Sequence, residues 1–483
     1  MLTIDQLTIF CKNKGFIFQN SEIYGGLSGF FDYGPLGVEL KNNIKKEWWK
    51  TFVQSRSDVV GIDGSIISHQ RVWEASGHVS GFSDVFVFCK KCKKPNKVDK
   101  HELQKAKCIL CSGELDKDNS KDFNLLFPVQ VGADNPTKAY LRGETAQMIF
   151  TNFKLVAETS RLKLPFGIAQ IGKAFRNEIS PRDFLFRLRE FEQMELEYFI
   201  NPKDVNLCPH LKEIETLKIN FIDTNSQKSN KSHKEITIKD LSKSIKLPWL
   251  AYWLGNQYKF FLDLVVKKEN LRIREHKKEE LAHYANACLD IEYKFPFGWK
   301  ELQGMADRKQ FDLSQHEKFS KKDLSVFDEN EKKKILPYVA AEPSQGVERA
   351  FLAFIYDAYN DDKKRGNIIL KLNPKLAPVK IGVFPLVNKL NNEAKEIYDL
   401  LKKDFTCIYD TSGSIGRRYA RADEIGVPYC ITIDFEYENN KDVTVRDLLT
   451  TNQIRVKLSD LKETLNKLLN QEIKFEKIGK LIR

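Results

Sequence analysis

The sequence lacks any apolar run long enough to mark a membrane-spanning helix. No stretch of about 18 apolar residues occurs in the 483-residue chain. The first ten residues contain no basic segment followed by an apolar core, so no signal peptide is expected. These absences predict a protein that does not act in a membrane.

The two common glycine-rich patterns that bind phosphates are missing as well. The sequence has no GxxxxGK[ST] loop, and no GxGxxG follows a predicted strand. P-loop and Rossmann nucleotide binding are therefore unsupported. Any bound nucleotide must have its phosphates held by other residues.

Positive charge is in modest excess, because Lys and Arg total 78 while Asp and Glu total 66, a net charge of +12. This balance favours a polyanionic partner such as nucleic acid, although a highly charged solvated surface gives similar numbers. The nine cysteines are an odd number, which fits a reducing compartment. We therefore expect a cytoplasmic protein.

Four of the cysteines form two CxxC pairs. Cys89 and Cys92 are separated from Cys108 and Cys111 by 15 residues. Two such pairs place four thiolates around one zinc ion and leave no open position, so the predicted zinc is structural. We expect a zinc-ribbon insertion over residues 86–115.

The element patterns divide the chain near residue 373. Residues 1–372 contain short alternating strands with interspersed helices, which predicts an antiparallel sheet in an α+β domain. This domain has a polar insertion near 202–290, in which residues 225–246 are predicted to be an exposed excursion or a small insertion.

Residues 376–483 alternate between strand and helix patterns, which predicts a separate α/β domain. The expected elements are strands at 379–387, 405–409 and 428–435, with helices at 392–403 and 414–424.

An early helix is predicted to begin at Pro35. Apolar residues recur at a spacing of four and form one stripe along it. They are Leu36, Leu40, Ile44, Trp48 and Phe52. The stripe fits either a helix in the core of its own chain or a helix at a dimer interface.

Residues 165–200 predict a hairpin whose second strand carries unusual chemistry. Period-two geometry places one set of side chains on a single face: Arg187, Arg189, Phe191, Gln193 and Glu195. The other face receives Leu188, Glu190, Glu192, Met194 and Leu196. Arginines bind phosphates, an aromatic ring stacks on a base, and a carboxylate binds an ammonium group. A fully solvated face is the alternative.

Three further segments add acids and arginines. Glu144 lies in LRGETAQ, while Glu301 and Arg308 lie in KELQGMADR. In PYVAAEPSQGVER, the pattern predicts a strand that ends at Glu342 and a following helix capped by Ser344.

Together these pieces resemble a class II aminoacyl-tRNA synthetase. Phe175-Arg176-Asn177-Glu178 with Arg187 and Phe191 resembles motif 2 of that class, and Gly346-Val347-Glu348-Arg349 resembles the end of motif 3. The helix at 35–53 is similar to the motif 1 helix at the dimer interface. The strings RGETAQ, FRNEISPRDFLFRLREFEQMELEYF, ELQGMADR and EPSQGVER resemble the homodimeric type of glycyl-tRNA synthetase, from residue 25 to about 455.

The resemblance implies a glycine–tRNA ligase that uses ATP with Mg²⁺, glycine and tRNA(Gly), works as a homodimer and carries an anticodon-binding domain after about residue 376. Arg176 is expected to hold the α-phosphate and the glycine carboxylate, with Arg187 and Arg349 on the outer phosphates. Phe191 and Arg349 would sandwich adenine, and Glu301 would bind magnesium.

The implied site residues fall into two groups. The ATP site comprises Arg176, Asn177, Glu178, Phe186, Arg187, Phe191, Glu301, Leu302, Gly346 and Arg349. The glycine site comprises Lys97, Glu144, Phe191, Glu192, Gln193, Met194, Glu195, Arg308, Glu342 and Ser344. Lys97 stands where the family more often has arginine.

The sequence departs from the family at Leu448 and Leu449, where charged residues are usual, so details of anticodon contact stay open. Three alternatives also stay open. They are a class IIa ligase for threonine, proline or histidine, a non-catalytic paralogue that only binds RNA, and a zinc-ribbon nucleic-acid protein.

Overall fold

The computed structural model describes residues 2–98, 103–281, 285–329, 331–479 and 481–482. In chain order, the helices are α1 (Ile4–Asn13), α2 (Pro35–Trp49), α3 (Gln70–Ala75), α4 (His78–Gly81), α5 (Ala146–Thr159), α6 (Thr224–Lys228), α7 (Ile238–Ile245), α8 (Pro248–Asp263), α9 (Phe311–Ser320), α10 (Val347–Ala358), α11 (Asn391–Leu401), α12 (Ile415–Glu424), α13 (Tyr437–Asn440) and α14 (Leu458–Leu469).

The strands of the first part of the chain are β1 (Ile17–Gln19), β2 (Phe31–Tyr33), β3 (Val59–Ile62), β4 (Ile67–His69), β5 (Ser83–Phe88), β6 (Pro95–Val98), β7 (Lys121–Asn124), β8 (Phe127–Val131), β9 (Thr137–Leu141), β10 (Phe166–Phe175), β11 (Glu190–Ile200), β12 (Lys218–Ile222), β13 (Lys234–Thr237) and β14 (Leu271–Glu275). The remaining strands are β15 (Ala287–Phe295), β16 (Gly298–Asp307), β17 (Val326–Asp328), β18 (Lys333–Ile335), β19 (Tyr338–Gly346), β20 (Tyr359–Asp362), β21 (Asn367–Leu370), β22 (Ile381–Pro385), β23 (Cys407–Tyr409), β24 (Tyr429–Ile433), β25 (Asp442–Asp447), β26 (Gln453–Lys457) and β27 (Leu481–Ile482).

A nine-stranded sheet organises the first part of the chain, in the order β13-β12-β14-β15-β16-β19-β11-β10-β3. Its central pairs, from β14 to β10, are antiparallel. The pairs β3–β10 and β12–β14 are parallel. The predicted antiparallel α+β architecture is therefore confirmed.

One face of this sheet is apolar and is covered by helices. Alternate residues of β11, namely Met194, Leu196 and Tyr198, join a core with residues of α2, α8 and α10. Within α2, Leu40, Ile44 and Trp48 are fully buried, so the predicted stripe packs in the core of its own chain. The opposite face of β11 carries the polar residues of the site.

Two sequence-based expectations differ from the structure here. Residues 225–246 are not merely an exposed excursion, since β13 pairs with β12 at the sheet edge and α7 buries Ile238 and Leu241. Ser344 does not cap α10, because β19 continues to Gly346, which takes the N-cap position instead. In both segments long-range strand pairing outweighs the local polar composition.

The last part of the chain has its own apolar core and a six-stranded sheet, in the order β23-β22-β24-β25-β26-β27. The first three strands are parallel and the others antiparallel. The strand and helix alternation predicted after residue 376 is present. No helix in the described ranges is both long and apolar enough to cross a membrane.

A buried ion pair fixes this second sheet to α12. Arg446 of β25 donates to both carboxylate oxygens of Asp423, at 2.8 and 3.0 Å, and Arg365 approaches the same carboxylate at 3.4 Å. The Asp423 side chain is only 3% exposed. Removing the acid leaves a guanidinium buried without its counter-ion, which is costly.

We expect Asp423→Ala to lower the free energy of unfolding of this unit by about 3–5 kcal/mol. Asp404→Ala is the matched control, because Asp404 pairs with Lys462 at 2.7 Å between half-exposed side chains and such pairs contribute about 1 kcal/mol or less. Urea titration of the full chain by circular dichroism measures both. Equal losses in the two variants would contradict the role given to Asp423.

Candidate active site

A cleft of about 370 Å³ opens on the polar face of the nine-stranded sheet. It lies over the neighbouring strands β16, β19 and β11. Its charged and aromatic lining consists of Phe82, Asp84, Lys97, Arg176, Glu178, Phe186, Arg187, Phe191, Glu301, Glu348 and Arg349. Several cations and rings in one concave site suit an anionic ligand that carries a flat ring system.

Arg176 is held at the cleft by two rings and a carbonyl group. Its Nε donates to the carbonyl oxygen of Gly143 at 3.0 Å. Its guanidinium carbon lies 5.3 Å from the centre of the Phe191 ring and 5.2 Å from that of Phe82. The residue follows β10 directly, so a rigid strand fixes its position.

Arg187 and Arg189 are not part of the strand on which they were predicted. β11 begins at Glu190, and both arginines lie in the loop after β10, where Asp183 and Phe184 adopt left-handed backbone conformations. Arg187 still reaches the cleft, 3.8 Å from the Glu178 carboxylate. Arg189 instead donates to the main chain of Glu178 and Ser28, and so stabilises the loop.

Arg349 lies in the first turn of α10 and crosses the cleft wall. Its guanidinium carbon lies 4.4 Å from the centre of the Phe186 ring, and Nη1 is 2.9 Å from a carboxylate oxygen of Glu301. The predicted sandwich of Phe191 and Arg349 is therefore not preformed. Arg176 packs between Phe191 and Phe82, whereas Arg349 stacks on Phe186.

A small three-stranded sheet of β6, β5 and β7 contributes the facing wall. Lys97 of β6 points into the cleft, with Nζ 2.6 Å from the Asp84 carboxylate and 3.8 Å from that of Glu178. The position predicted to reach the substrate is thus at the site. Its ammonium group is oriented by acids on two separate elements.

Beneath the cleft, acidic residues surround a single arginine. Arg308 Nη1 donates to Glu342 at 2.7 Å, and Nη2 lies 3.9 Å from Glu144. Asp312 binds the same guanidinium through both oxygens, at 2.7 and 2.8 Å. The Arg308 side chain is fully buried. Because acids bind Arg308 on two sides, its side chain is held rigidly in the floor of the cleft.

Glu195 joins this cluster from β11. Its carboxylate accepts from the Thr145 hydroxyl, and Ser344, its partner across the sheet, also bonds to it. Gln193, two residues earlier on the same face, donates to Ser344 Oγ at 3.1 Å and lines the cleft. Glu195 therefore lies directly below the cleft that contains Phe191.

Burial and mutual repulsion control the charge of these acids. Burial raises the pKa of Glu342 to about 8, with Glu195 and Glu144 adding to the rise and Arg308 opposing it. Burial also raises the pKa of Glu195, and the Glu144 charge adds to it. Glu144 behaves in the opposite way, because His78 and Arg308 outweigh its burial and lower its pKa. The cluster carries more acid than its cations neutralise.

The two CxxC pairs meet in space. The sulfur atoms of Cys89 and Cys111 are 3.6 Å apart, as are those of Cys92 and Cys108, and all four lie within 4.8 Å of one another. Tetrahedral zinc with bonds of about 2.3 Å needs sulfur atoms about 3.8 Å apart. The four thiols therefore fit a zinc ion.

Known proteins are similar to this chain along most of its length. Residues 380–468 match the family described as an anticodon binding domain. The glycine–tRNA ligase of Acetivibrio thermocellus is 46% identical, over 95% of this chain and 97% of its own. That of Caldanaerobacter subterraneus subsp. tengcongensis is 43% identical, over 98% and 99%.

The chain belongs to the glycine–tRNA ligase family. These enzymes are aminoacyl-tRNA ligases, so the family and the enzyme class predicted from sequence are confirmed, and a ligase family for threonine, proline or histidine is excluded.

A solved structure supports the fold. Prolyl-tRNA synthetase from Cryptosporidium parvum, complexed with L-proline and AMP, aligns with a TM-score of 0.58 at 14% identity, over 97% of this chain and 78% of its own. The class II architecture expected of a glycine–tRNA ligase is therefore present.

Three side chains expected in the ligase site point elsewhere. Glu192 lies on the helix-covered face, 3.3 Å from Lys41 and 3.2 Å from Lys45 of α2. Met194 and Leu302 are buried in the apolar core. Strand alternation explains Glu192 and Met194, because they fall between Phe191, Gln193 and Glu195.

Three further residues expected in the site differ in whether they line the cleft, namely Asn177, Gly346 and Glu178. Gly346 and Glu178 line the cleft, whereas Asn177 is absent from the lining and its main-chain N–H donates to the Leu125 carbonyl.

Other residues of this ligase site were not anticipated. Asp312 pairs with Arg308, and His78 pairs with Glu144. The Thr145 hydroxyl donates to Glu195. Glu197 is fully buried on the same strand face, and neither of its carboxylate oxygens has a hydrogen-bond partner among the described residues. Continuing the period of two by one step beyond Glu195 would have found Glu197.

The raised pKa of Glu342 predicts a pH-dependent stability. An unfolded glutamate titrates near 4.3, so between about pH 4.3 and 8 the folded state holds a proton that the unfolded state lacks. The contribution of Glu342 to the free energy of unfolding is greatest at the acid end of this pH range. It falls toward pH 8 by up to about 1.4 kcal/mol per pH unit.

Glu342→Gln removes this titration while keeping an acceptor for Arg308, so we expect the variant to gain stability over the wild type as pH rises from 6 to 8. Thermal unfolding of both proteins at pH 6, 7 and 8 tests this. Parallel pH profiles would show that Glu342 is ionised throughout.

Proposed function

We propose that this cleft activates glycine with ATP and transfers it to the 3′ end of tRNA(Gly). The observation that supports this is the convergence of Glu144, Glu195 and Glu342 around Arg308, directly below Arg176 and Phe191. Excess buried acid attracts a cation, and the ammonium group of a small amino acid supplies one.

Glycine binding rests on charge, because glycine has no side chain to hold. Its ammonium group would bind Glu195, Glu342 and Glu144, with Gln193 and Ser344 completing the pocket. Its carboxylate would face Arg176, which stands at the end of β10 above the cluster. Because protein residues bind both the ammonium group and the carboxylate, the orientation of glycine in the pocket is fixed.

ATP would lie along the upper cleft. Arg176 is assigned to the α-phosphate, and Arg187 and Arg349 to the outer phosphates, since all three reach the cleft. The adenine ring would stack on Phe191 or Phe186, the two rings already in contact with arginines. For the predicted sandwich with Phe191 to form, Arg349 must move off Phe186.

Glu301 fits a magnesium ligand at the edge of this site. Its carboxylate lies beside the phosphate-directed Arg349, and an oxygen approaches the open side of Gly304, 3.8 Å from the place where a Cβ would stand. Magnesium favours such carboxylates together with phosphates, and it would neutralise charge on the pyrophosphate.

The reaction needs positioning more than covalent help. The glycine carboxylate attacks the α-phosphorus of ATP, and the bond from that phosphorus to the oxygen of the β-phosphate breaks, which releases pyrophosphate. Arg176 stabilises the added negative charge. The ribose hydroxyl at the tRNA 3′ end then attacks the carbonyl carbon of glycyl-adenylate, and AMP leaves with the electron pair.

The remaining assignments concern architecture. We assign a catalytic domain to residues 1–372 and an anticodon-binding domain to residues 376–483, and we place the enzyme in the cytoplasm, which its nine free cysteines support. A structural zinc on the four clustered cysteines would hold the small sheet that carries Lys97. Leu448 is buried in the second unit and Leu449 is exposed, so only Leu449 is open to contact with RNA.

We also propose that the chain acts as a homodimer. The inward stripe of α2 packs in the core of its own chain, so we place the interface on other apolar side chains that are exposed. Ile23, Tyr24 and Leu27 are 88%, 86% and 51% exposed in one short segment near α2. A second copy of the chain would cover these apolar side chains, as the class II resemblance implies.

Glu195→Gln tests the ammonium site, because it removes one charge and keeps the shape. A hydrogen bond to a charged group contributes about 1.5–3 kcal/mol, so we expect the KM for glycine in ATP–pyrophosphate exchange to rise about tenfold to a hundredfold. The KM for ATP should change little.

Glu190→Gln is the matched control, since Glu190 lies on the same strand, pairs with Lys173 and takes no part in the cleft. We expect its glycine KM to stay within twofold of the wild type. An unchanged glycine KM in Glu195→Gln would remove Glu195 from the site.

Replacement of both Ile23 and Tyr24 by Asp tests the dimer. We expect the wild type to sediment at twice its 56.0 kDa chain mass and the double variant to sediment as a monomer. Leu155→Asp, at another exposed apolar position (61%), is the control and should remain dimeric. A double variant with wild-type mass would place the interface elsewhere.

A further inference from the structure

A second group of metal-binding side chains lies on the polar face of the nine-stranded sheet, beyond Glu301. Cys288 and Asp290 are two residues apart on β15 and share one face of it. His276 follows β14, and its main-chain N–H donates to the Cys288 carbonyl at 3.0 Å. Two of the side chains therefore stand on β15, and the third is tied to that strand by a main-chain hydrogen bond.

The ligand atoms of these residues are close together. One nitrogen, one sulfur and one oxygen, from His276, Cys288 and Asp290, all lie within 4.8 Å of one another. His276 Nε2 is 2.6 Å from an Asp290 carboxylate oxygen. Zinc bonds to such atoms are about 2.0–2.3 Å long, so small side-chain movements bring all three to one ion.

Gly304 of β16 lies beside two of the acids. A Cβ atom placed there would stand 3.9 Å from the second oxygen of Asp290 and 3.8 Å from an oxygen of Glu301. Two carboxylates from neighbouring strands thus approach the same stretch of bare backbone. Glu301 is not one of the three clustered residues, but its charge acts on the Cys288 thiol.

The donor types select the ion. A thiol with an imidazole and a carboxylate favours zinc over magnesium, which prefers oxygen ligands only. Burial and the nearby charges of Asp290, Glu301 and Glu342 raise the pKa of the Cys288 thiol, and a bound dication would offset both effects. The His276 side chain is 19% exposed, so an ion can enter from the solvent.

We propose that His276, Cys288 and Asp290 form a second zinc-binding site, separate from the four clustered cysteines, through which zinc inhibits amino-acid activation. An ion there draws Glu301 away from its proposed magnesium role. The inhibition rests on the proposed function of Glu301, whereas the binding of zinc does not.

Metal counting tests the site itself. Full-length protein equilibrated with a small excess of zinc and then desalted should retain two ions per chain, while Cys288→Ala and His276→Gln should retain one. Cys430→Ala, which removes another buried thiol far from the site, is the matched control and should retain two. Wild-type protein with one ion, or Cys288→Ala with two, would overturn the proposal.

A variant of the clustered cysteines separates the two sites. In Cys89→Ser, the ion that remains should be lost on adding the Cys288→Ala change. If Cys89→Ser perturbs folding, cobalt spectra of the zinc-saturated wild type and Cys288→Ala protein supply the second measurement. A thiolate-to-cobalt band that is present in wild type and absent in Cys288→Ala supports the site, and identical spectra contradict it.

Glycine-dependent ATP–pyrophosphate exchange tests the inhibition. We expect zinc to inhibit the wild type, added magnesium to relieve the effect, and Cys288→Ala to need at least tenfold more zinc for half-inhibition, with zinc-free activity within twofold of wild type. Equal inhibition of both proteins would show that zinc at this site does not inhibit the enzyme. The metal count would then still decide whether the site binds zinc. Loss of exchange in all proteins without zinc would instead count against the proposed function.

Discussion

The interaction on which the site depends is the binding of several buried carboxylates to one arginine. Arg308 is the only guanidinium in contact with Glu144, Glu342 and Asp312 among the described residues, and Glu195 and Glu197 lie within its electrostatic reach. One positive charge cannot neutralise five acids. The protein meets this constraint by holding protons on some of them, as the raised pKa values of Glu342 and Glu197 show. Excess buried acid of this kind favours the entry of a small positive group, and the proposed ammonium site rests on that excess.

The two faces of β11 separate this charged floor from the core. Phe191, Gln193 and Glu195 point to the cleft, while Met194, Leu196 and Tyr198 pack against the helices. Glu192 is the exception on the apolar side, and it is matched there by Lys41 and Lys45 of α2. The main-chain N–H of Glu192 also donates to Glu348, the neighbour of Arg349. Contacts on the helical side therefore fix the start of α10, on which the phosphate-directed arginine stands.

Sequence periodicity was sufficient for features that depend on neighbours along the chain. It predicted the stripe of α2, the hairpin of β10 and β11, the facing of Phe191, Gln193 and Glu195, and the alternation after residue 376. The resemblance to a known family placed Arg176, Arg308 and Glu342 in one site. Two of the failures in the fold share a cause, since they depend on pairing across long separations. Ser344 belongs to a strand because β16 and β11 pair with it on both sides. Residues 234–237 form a strand despite their polar composition because β12 provides an edge. Asp312, His78 and Thr145 come from three separate segments, and no local pattern marks their convergence on the acids.

The same packing explains how a site could choose the smallest amino acid without a side chain to recognise. An amino acid larger than glycine carries a Cβ atom, and this atom must fit against groups that cannot move freely. Arg308 is fully buried and bound by Asp312 and Glu342, and Glu195 is bound by Thr145 and Ser344. Displacing such groups breaks hydrogen bonds to charges, which costs about 1.5–3 kcal/mol for each bond, in addition to about 1–3 kcal/mol for overpacking. One penalty of each kind totals at least about 2.5 kcal/mol, which is a discrimination of at least about sixtyfold at 1.4 kcal/mol per factor of ten. Because every competing natural amino acid is larger than glycine, rejection by size acts in one direction only, and in the proposed site the rigid acid cluster would supply affinity and selectivity through the same bonds.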